Sequence, residues 1–312
     1  MTMSSLPRLI VILGPTASGK SSLAIALAEH LGGEILVCDS TQVYRRFNIG
    51  TAKVPASEQR GIAHHLVDLV DPYELFTAGE YRRRAIEVLE SVRRRGSMPI
   101  FAAGTGLYLR ALLDGLSEAP PRSDELRERL RHKSQRRGAE HLHHLLARLD
   151  TAAASRIGPR DTPKIIRALE MRLLAGKPLG EIYGAGRSAL EGYDVRKIGL
   201  LPPRSALYAR IDARVTQMLQ AGWIDEVRNV AAAGVPADAK PFQFIGYSEL
   251  RQHLEGRVPL EAAILQIQQA TRNFAKRQIT WFRKESGVRW LPLFGDTPEA
   301  LASALDVAQC DS

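Results

Sequence analysis

The chain has 312 residues, 45% hydrophobic and 25% charged, enough for one large or two modest globular domains with a buried core. No apolar run reaches the roughly 18–20 residues of a bilayer-spanning helix, and two cysteines, Cys38 and Cys310, make no disulfide framework, so a cytoplasmic protein with no membrane association is expected. The 43 Lys and Arg exceed the 34 Asp and Glu for a net charge of +9, a balance that favours a polyanionic partner, nucleic acid above all.

The opening "MTMSSLPRLIVILG" has a single Arg before a short apolar run and is too short for a signal peptide. Its "LIVIL" (9–13) is continuous and β-branched, as in a strand buried on both faces. Next comes "GPTASGKSSLA" (14–24), which satisfies every fixed position of the phosphate-loop pattern G-x-x-x-x-G-K-[ST]. From Lys20, "KSSLAIALAEHL" repeats apolar residues at helical spacing and stops at Gly32 and Gly33. "EILVC" (34–38) reads as a second strand ending at Asp39, and "MPIFAAG" from Met98 as a third, followed by the helical "LYLRALLDG". Residues 117–193 are helical in texture without a strand, "KIGLLPP" predicts a return strand, and a last long helix is expected over 260–283. Strands alternating with helices give a parallel α/β sheet. The expected fold is a P-loop NTPase-like parallel sheet flanked by helices, with the first part of the core in 1–116, a helical insertion in 117–193, and core completion with basic C-terminal helices in 194–312. No internal repeat or low-complexity tract interrupts it, and a monomer without an obligate protein partner is the expectation.

In the phosphate loop, the backbone amides of Gly14, Pro15, Thr16, Ala17, Ser18 and Gly19 (proline's nitrogen aside) are expected to cradle phosphate oxygens at the positive end of the following helix. Lys20 would reach the outer phosphate, and the Ser21 hydroxyl would ligate Mg2+. Asp39 follows the second strand, where a carboxylate can take a proton from an acceptor. "DSTQVYR" and "GTGLY" both follow strands, and in such sheets ligands gather at the carboxyl ends. On this chemistry alone a nucleoside triphosphatase and a small-molecule kinase remain open.

The longer wording narrows the choice. "DSTQVYRRFNIGTAK" (39–53), "HHLVDLVDP" (64–72), "GTGLYLRALLDGL" (104–116), "RALE" (167–170), "GYSEL" (246–250) and "TRNFAKRQITWFR" (271–283) occur in this order. Together they closely resemble the tRNA dimethylallyltransferases, the bacterial tRNA isopentenyltransferases. The resemblance implies that the loop holds the diphosphate of dimethylallyl diphosphate. The prenyl group would pass to the exocyclic amine of the adenine 3′-adjacent to the anticodon of tRNA, with diphosphate released. It further implies Asp39 as general base, Thr105 at the reaction centre near the donor oxygen, Lys20 as catalytic cation, and Arg214 as a further diphosphate ligand. Asp39, Ser40, Thr41 and Gln42 would read the target base. Pro163, Lys164, Ile165, Ile166 and Arg167, then Phe244, Ile245, Gly246 and Tyr247, then Lys276, Arg277, Gln278 and Arg283 would contact the anticodon arm.

The residues themselves add partial support for RNA. In the last helix Ala263, Ile267, Ala270, Phe274 and Trp281 fit one apolar face, and Arg272, Lys276 and Arg283 a basic stripe. Residues 122–137 hold seven Lys and Arg against three Asp and Glu, suited to stem phosphates. The Arg82–Arg84 and Arg93–Arg95 triplets read as solvated helix charge. Two departures from the family wording stand out: Ala102 and Ala103 in place of glycine before "GTGLY", implying no need for positive φ there, and "RDTPKIIRALE", which blurs the contacts at 161–165. "HLHH" (141–144) has no Cys or carboxylate set to complete a zinc site, and His64 and His65 read as packing or hydrogen-bonding residues. The rival readings are an adenylate isopentenyltransferase acting on free nucleotides, a P-loop kinase or ATPase, and an RNA-binding protein without activity.

Overall fold

The structure, a computed structural model, describes residues 6–184 and 188–310; the first five residues of the opening stretch and residues 185–187 of the expected insertion lie outside it. Six strands make one parallel sheet: β1 (Arg8–Leu13), β2 (Gly33–Cys38), β3 (His64–His65), β4 (Met98–Ala103), β5 (Asp194–Leu200) and β6 (Val288–Leu291), in the order β3-β2-β4-β1-β5-β6. β1 lies between β4 and β5, with Leu13 opposite Ala103 on one side and Gly199 on the other. All of β1 after Arg8 is buried, as the unbroken apolar run requires of a strand covered on both faces. Ile10, Ile12, Ile35, Val37, Ile100 and Ile198 pack with Leu23, Ala24 and Leu27 of the helix Lys20–Leu31 and with Ala304 and Ala308 of the helix Pro298–Gln309. Among the described residues no helix is long and apolar enough to cross a membrane.

The sheet is larger than the sequence suggests. β3 has two residues, too few for any periodicity, and β6 has four, of which only Leu291 is buried. Between β3 and β4 the helix Ala78–Arg94 starts on a Thr77 cap, its side chain accepting from Glu80 N. The Arg triplets on and after this helix are mostly partnered, which corrects the reading of them as solvated charge. Arg83 pairs with Glu80 and Glu87, Arg84 with Glu80 while lying over Phe76, and Arg95 with Glu34. Against some cost of burial, Arg95 and His65 hydrogen bonds hold the Glu34 carboxyl at about 2. Ala102 and Ala103 sit inside β4, paired with Val37 and Cys38, and neither has positive φ.

The chain divides into two compact units, one running to Leu112 and resuming at Glu191, the other Leu113–Leu190. The second is helical: Asp124–Arg137, Ala139–Leu149, Thr151–Ala154, Thr162–Ala175 and Leu179–Gly184. It has its own core of Leu130, Leu142, Leu146, Ile165, Ile166, Leu169 and Leu179. Polar residues fix its joints. Asp150 caps Ala153 N at 2.8 Å and accepts from Leu179 N at 2.7 Å. Glu170 is fully buried and accepts from Arg127, Arg167 and Ser123 N; despite that burial, the two guanidinium groups hold its carboxyl at about 2.

Candidate active site

The phosphate loop leaves β1 and enters the helix Lys20–Leu31 through Gly19, which is left-handed at φ 89°. Glycine is needed there twice over, because an added Cβ would also stand 2.7 Å from Gly295 N. Ala17 has φ 62° without being glycine, a strained setting. Packing among Leu207, Ile211 and Ala275 holds it in place. Outside the loop, Gly295 N donates to Ser18 O at 2.9 Å, so the segment after β6 backs the loop. The expectation that every available loop amide faces phosphate is corrected at Thr16 and Ser18: Thr16 N–H donates to Gln278 Oε1 at 2.7 Å and Ser18 N–H to Pro15 O at 3.3 Å.

Lys20 Nζ donates to Pro15 O at 2.8 Å. Burial lowers its pKa to about 8, with Asp39 opposing that shift and Arg214 adding to it. Arg214, on the helix Arg204–Gln220, has its pKa lowered by burial and by Arg210, and raised by Asp39. Lys20, Asp39 and Arg214 therefore lie within electrostatic reach of one another: two cations and one carboxylate at the strand ends. Arg210 itself is tied to Asp296 by two hydrogen bonds of 2.8 Å. Ser21, at the second position of its helix, is exposed. A hydroxyl there fits a magnesium ion that draws its remaining oxygens from phosphate and water; among the described residues no cluster of three His, Cys, Asp or Glu offers an all-protein site.

β2 and β4 are neighbours with Cys38 opposite Ala103, so the residues that follow them meet. Gly104 N and Thr105 N both donate to Cys38 O at 3.0 Å. Asp39 Oδ1 accepts from Thr41 N at 2.8 Å and Thr41 Oγ1 at 2.7 Å, which orients the carboxylate. Its Oδ2 lies over Gly104, where an added Cβ would approach to 2.6 Å. Thr105 Oγ1 accepts from Ser40 N at 2.9 Å and lies 3.2 Å from Ser40 Oγ. Cys38 is buried, and burial pushes its thiol up to about 12, which leaves it inert.

The residues expected to touch RNA fall into distinct groups. Gln42 gives its amide N–H groups to Thr51 O and Ala52 O, shaping the loop after β2. Pro163 and Lys164 are exposed, whereas Ile165 and Ile166 are core residues and Arg167 pairs with Glu170. Phe244 and Ile245 are half-buried, Phe244 against Tyr44. Tyr247 is fully buried, packs at a tilt against Phe47 and edge-on to Trp223, and donates to Glu226 Oε1 at 2.6 Å. Glu226, which sequence reasoning passed over, also accepts from Asn48 N and Ile49 N at 2.8 Å each and so holds the "FNIGT" loop. Lys276, Arg277 and Arg283 are exposed. Lys276 and Arg277 join Asn273, Thr280, Trp281 and Lys284 around a hollow of about 530 Å3.

On the long helix Leu260–Phe282 the buried face is Ala263, Ile267, Ala275, Gln278 and Phe282, rather than one through Ala270, Phe274 and Trp281. Gln278 is thereby corrected from a surface contact to a core residue, and Arg272 of the basic stripe pairs with Asp212 at 2.6 Å.

A glycine-bearing loop with an embedded lysine after β1, an arginine within its electrostatic reach and a carboxylate after β2, across β4 from the loop, define a P-loop protein. The IPP transferase family model matches residues 42–285, and the chain belongs to that family. It is 52% identical over 298 residues to the tRNA dimethylallyltransferase of Solibacter usitatus, covering 96% of this chain and 97% of the relative. Among solved structures, the full-length tRNA isopentenylpyrophosphate transferase of Bacillus halodurans is 37% identical, with a TM-score of 0.66 over 91% of this chain and 89% of that one. A eukaryotic dimethylallyltransferase acting on tRNA is 26% identical and superposes with a TM-score of 0.80, over 97% of this chain and 78% of that one.

Proposed function

We propose that this chain is a cytoplasmic enzyme that transfers a dimethylallyl group from dimethylallyl diphosphate to the exocyclic amine of the adenine 3′-adjacent to the anticodon of tRNA. The observation that carries this is the phosphate loop with Lys20, and with Arg214 and Asp39 within electrostatic reach of it, Asp39 being anchored by Thr41. Cleavage of the allylic C–O bond leaves its electron pair on the diphosphate, where the loop amides other than those of Thr16 and Ser18, together with Lys20 and Arg214, stabilise the growing charge. The adenine nitrogen attacks the allylic carbon. Its surplus proton passes to the Asp39 carboxylate, which Gly104 leaves room to approach. A magnesium ion held through Ser21 would supply further charge neutralisation to the leaving diphosphate. Thr105, whose hydroxyl pairs with that of Ser40, would orient the donor oxygen.

In the helical unit, Arg129, Lys133, Arg136 and Arg137 are exposed and have no acidic partner within the described residues, as phosphate-binding side chains would. Free AMP needs no such surface. The test is incorporation of labelled dimethylallyl groups, with magnesium, into unmodified tRNA carrying adenine beside the anticodon. AMP serves as the parallel acceptor and Asp39→Ala as the control. Label in tRNA but not AMP, lost in the variant, is the expected result. Label in AMP alone, or ATP turnover with no transfer, would refute the proposal.

A further inference from the structure

Gln278 is 6% exposed, near the C-terminal end of a helix whose last turns read as an RNA-facing surface. Its side-chain amide makes two long-range hydrogen bonds in opposite senses. Oε1 accepts from Thr16 N in the phosphate loop at 2.7 Å, and Nε2 donates to Gly104 O at 2.8 Å. Gly104 is also the residue on which Asp39 Oδ2 rests, and an added Cβ there would lie between that oxygen at 2.6 Å and Gln278 Nε2 at 3.7 Å. One planar group therefore ties the donor loop to the backbone under the proton acceptor. We propose that Gln278 is a positioning residue that fixes the spacing between the diphosphate loop and Asp39, rather than a contact for RNA.

The residue type follows from the chemistry. The site needs one donor and one acceptor on the same rigid plane, which the Gln carboxamide supplies. A glutamate would put a carboxylate against a carbonyl oxygen, and a methionine would leave Thr16 N and Gly104 O buried without partners. Group transfer depends on the distance between donor carbon, acceptor nitrogen and base, and a misplacement of about 1 Å costs on the order of 100-fold in rate. The brace acts on both ends of that line while touching neither substrate.

The inference rests on the transfer reaction proposed above, and the test separates the two. Gln278→Met and Gln278→Glu are compared with the wild type in steady-state transfer, with tRNA binding measured without donor and thermal unfolding recorded for each. A brace predicts that both variants lower kcat at saturating tRNA by roughly 10- to 100-fold and raise the donor KM severalfold, with the dissociation constant for tRNA within about twofold of wild type. Weakened tRNA binding with unchanged kcat and donor KM would overturn the inference and return Gln278 to the RNA surface; wild-type kinetics in both variants would equally overturn it. If wild-type protein transfers nothing to tRNA, the functional reading fails. The brace is then judged by calorimetric binding of inorganic diphosphate, which Gln278→Met must weaken for the inference to stand.

Discussion

Gly104→Ala isolates the position of the proton acceptor from everything else in the site. Gly104 has no positive φ, so alanine suits the backbone, and the strand that precedes it already ends in two alanines. The new methyl would stand 2.6 Å from Asp39 Oδ2 and must open that approach to the 3.4 Å of ordinary contact, a retreat of about 0.8 Å. Gln278 Nε2, at 3.7 Å, is already at a comfortable distance. Asp39 cannot swing freely, since Thr41 holds Oδ1 through two hydrogen bonds. Either one of these bonds breaks or the carboxylate shifts with its turn. A shift of that size costs on the order of 100-fold in the chemical step, or about 2.7 kcal/mol of barrier, while global stability falls by no more than about 1 kcal/mol, the worth of one hydrogen bond. Single-turnover transfer to tRNA, with enzyme in excess and both substrates saturating, reads that step directly. Wild-type single-turnover rate in a folded Gly104→Ala protein would show that the carboxylate need not occupy this place, and would refute Asp39 as the base in this geometry.

Two further expectations concern charge. Lys20 titrates at about 8 in the free protein, and only its protonated form attracts diphosphate. Affinity for inorganic diphosphate should therefore fall up to tenfold per pH unit above about 8, with proton uptake visible as a buffer-dependent binding enthalpy; affinity that holds constant to pH 10 would contradict it. Because the folded pKa lies below the ordinary 10.5, the cost of the buried charge is fully present below about 8 and fades as pH rises towards 10.5. Lys20→Met should thus raise Tm at pH 7, and the gain should shrink at alkaline pH. In the helical unit, replacing Arg129, Lys133, Arg136 and Arg137 together by alanine should weaken tRNA binding and flatten its salt dependence, by roughly 0.7–0.9 in logarithmic slope for each phosphate that the variant leaves unneutralised. Diphosphate binding should not change.

The parts of this molecule written locally were legible in advance. The strand, glycine turn and lysine-bearing helix are contiguous, so the phosphate loop, its Gly32 stop and the position of Asp39 followed from wording alone. What escaped depends on residues far apart in sequence. Gln278 reads as polar surface because its neighbours are Lys276 and Arg277. Its burial emerges only if Ala263, Ile267, Ala275 and Phe282 are taken as the stripe, in which position 278 falls three residues after Ala275 and four before Phe282. Glu226 lies 178 residues from Asn48, and no local pattern announces that a carboxylate will gather the amides of a distant loop. Tyr247 and Ile165 sit in recognisable motifs but belong to the packing that shapes those motifs.

The phosphate loop is translated well before the residues that secure its conformation: Leu207, Ile211, Ala275, Gln278 and Gly295. At ordinary synthesis rates of about 5–20 residues per second, tens of seconds separate the two. A ribosome-bound chain therefore has the lysine and the glycines without the walls that hold them. The loop gains its walls only as the stretch from Leu207 to Gly295 emerges from the exit tunnel, so that a product terminated before Leu207 retains the motif without these supports.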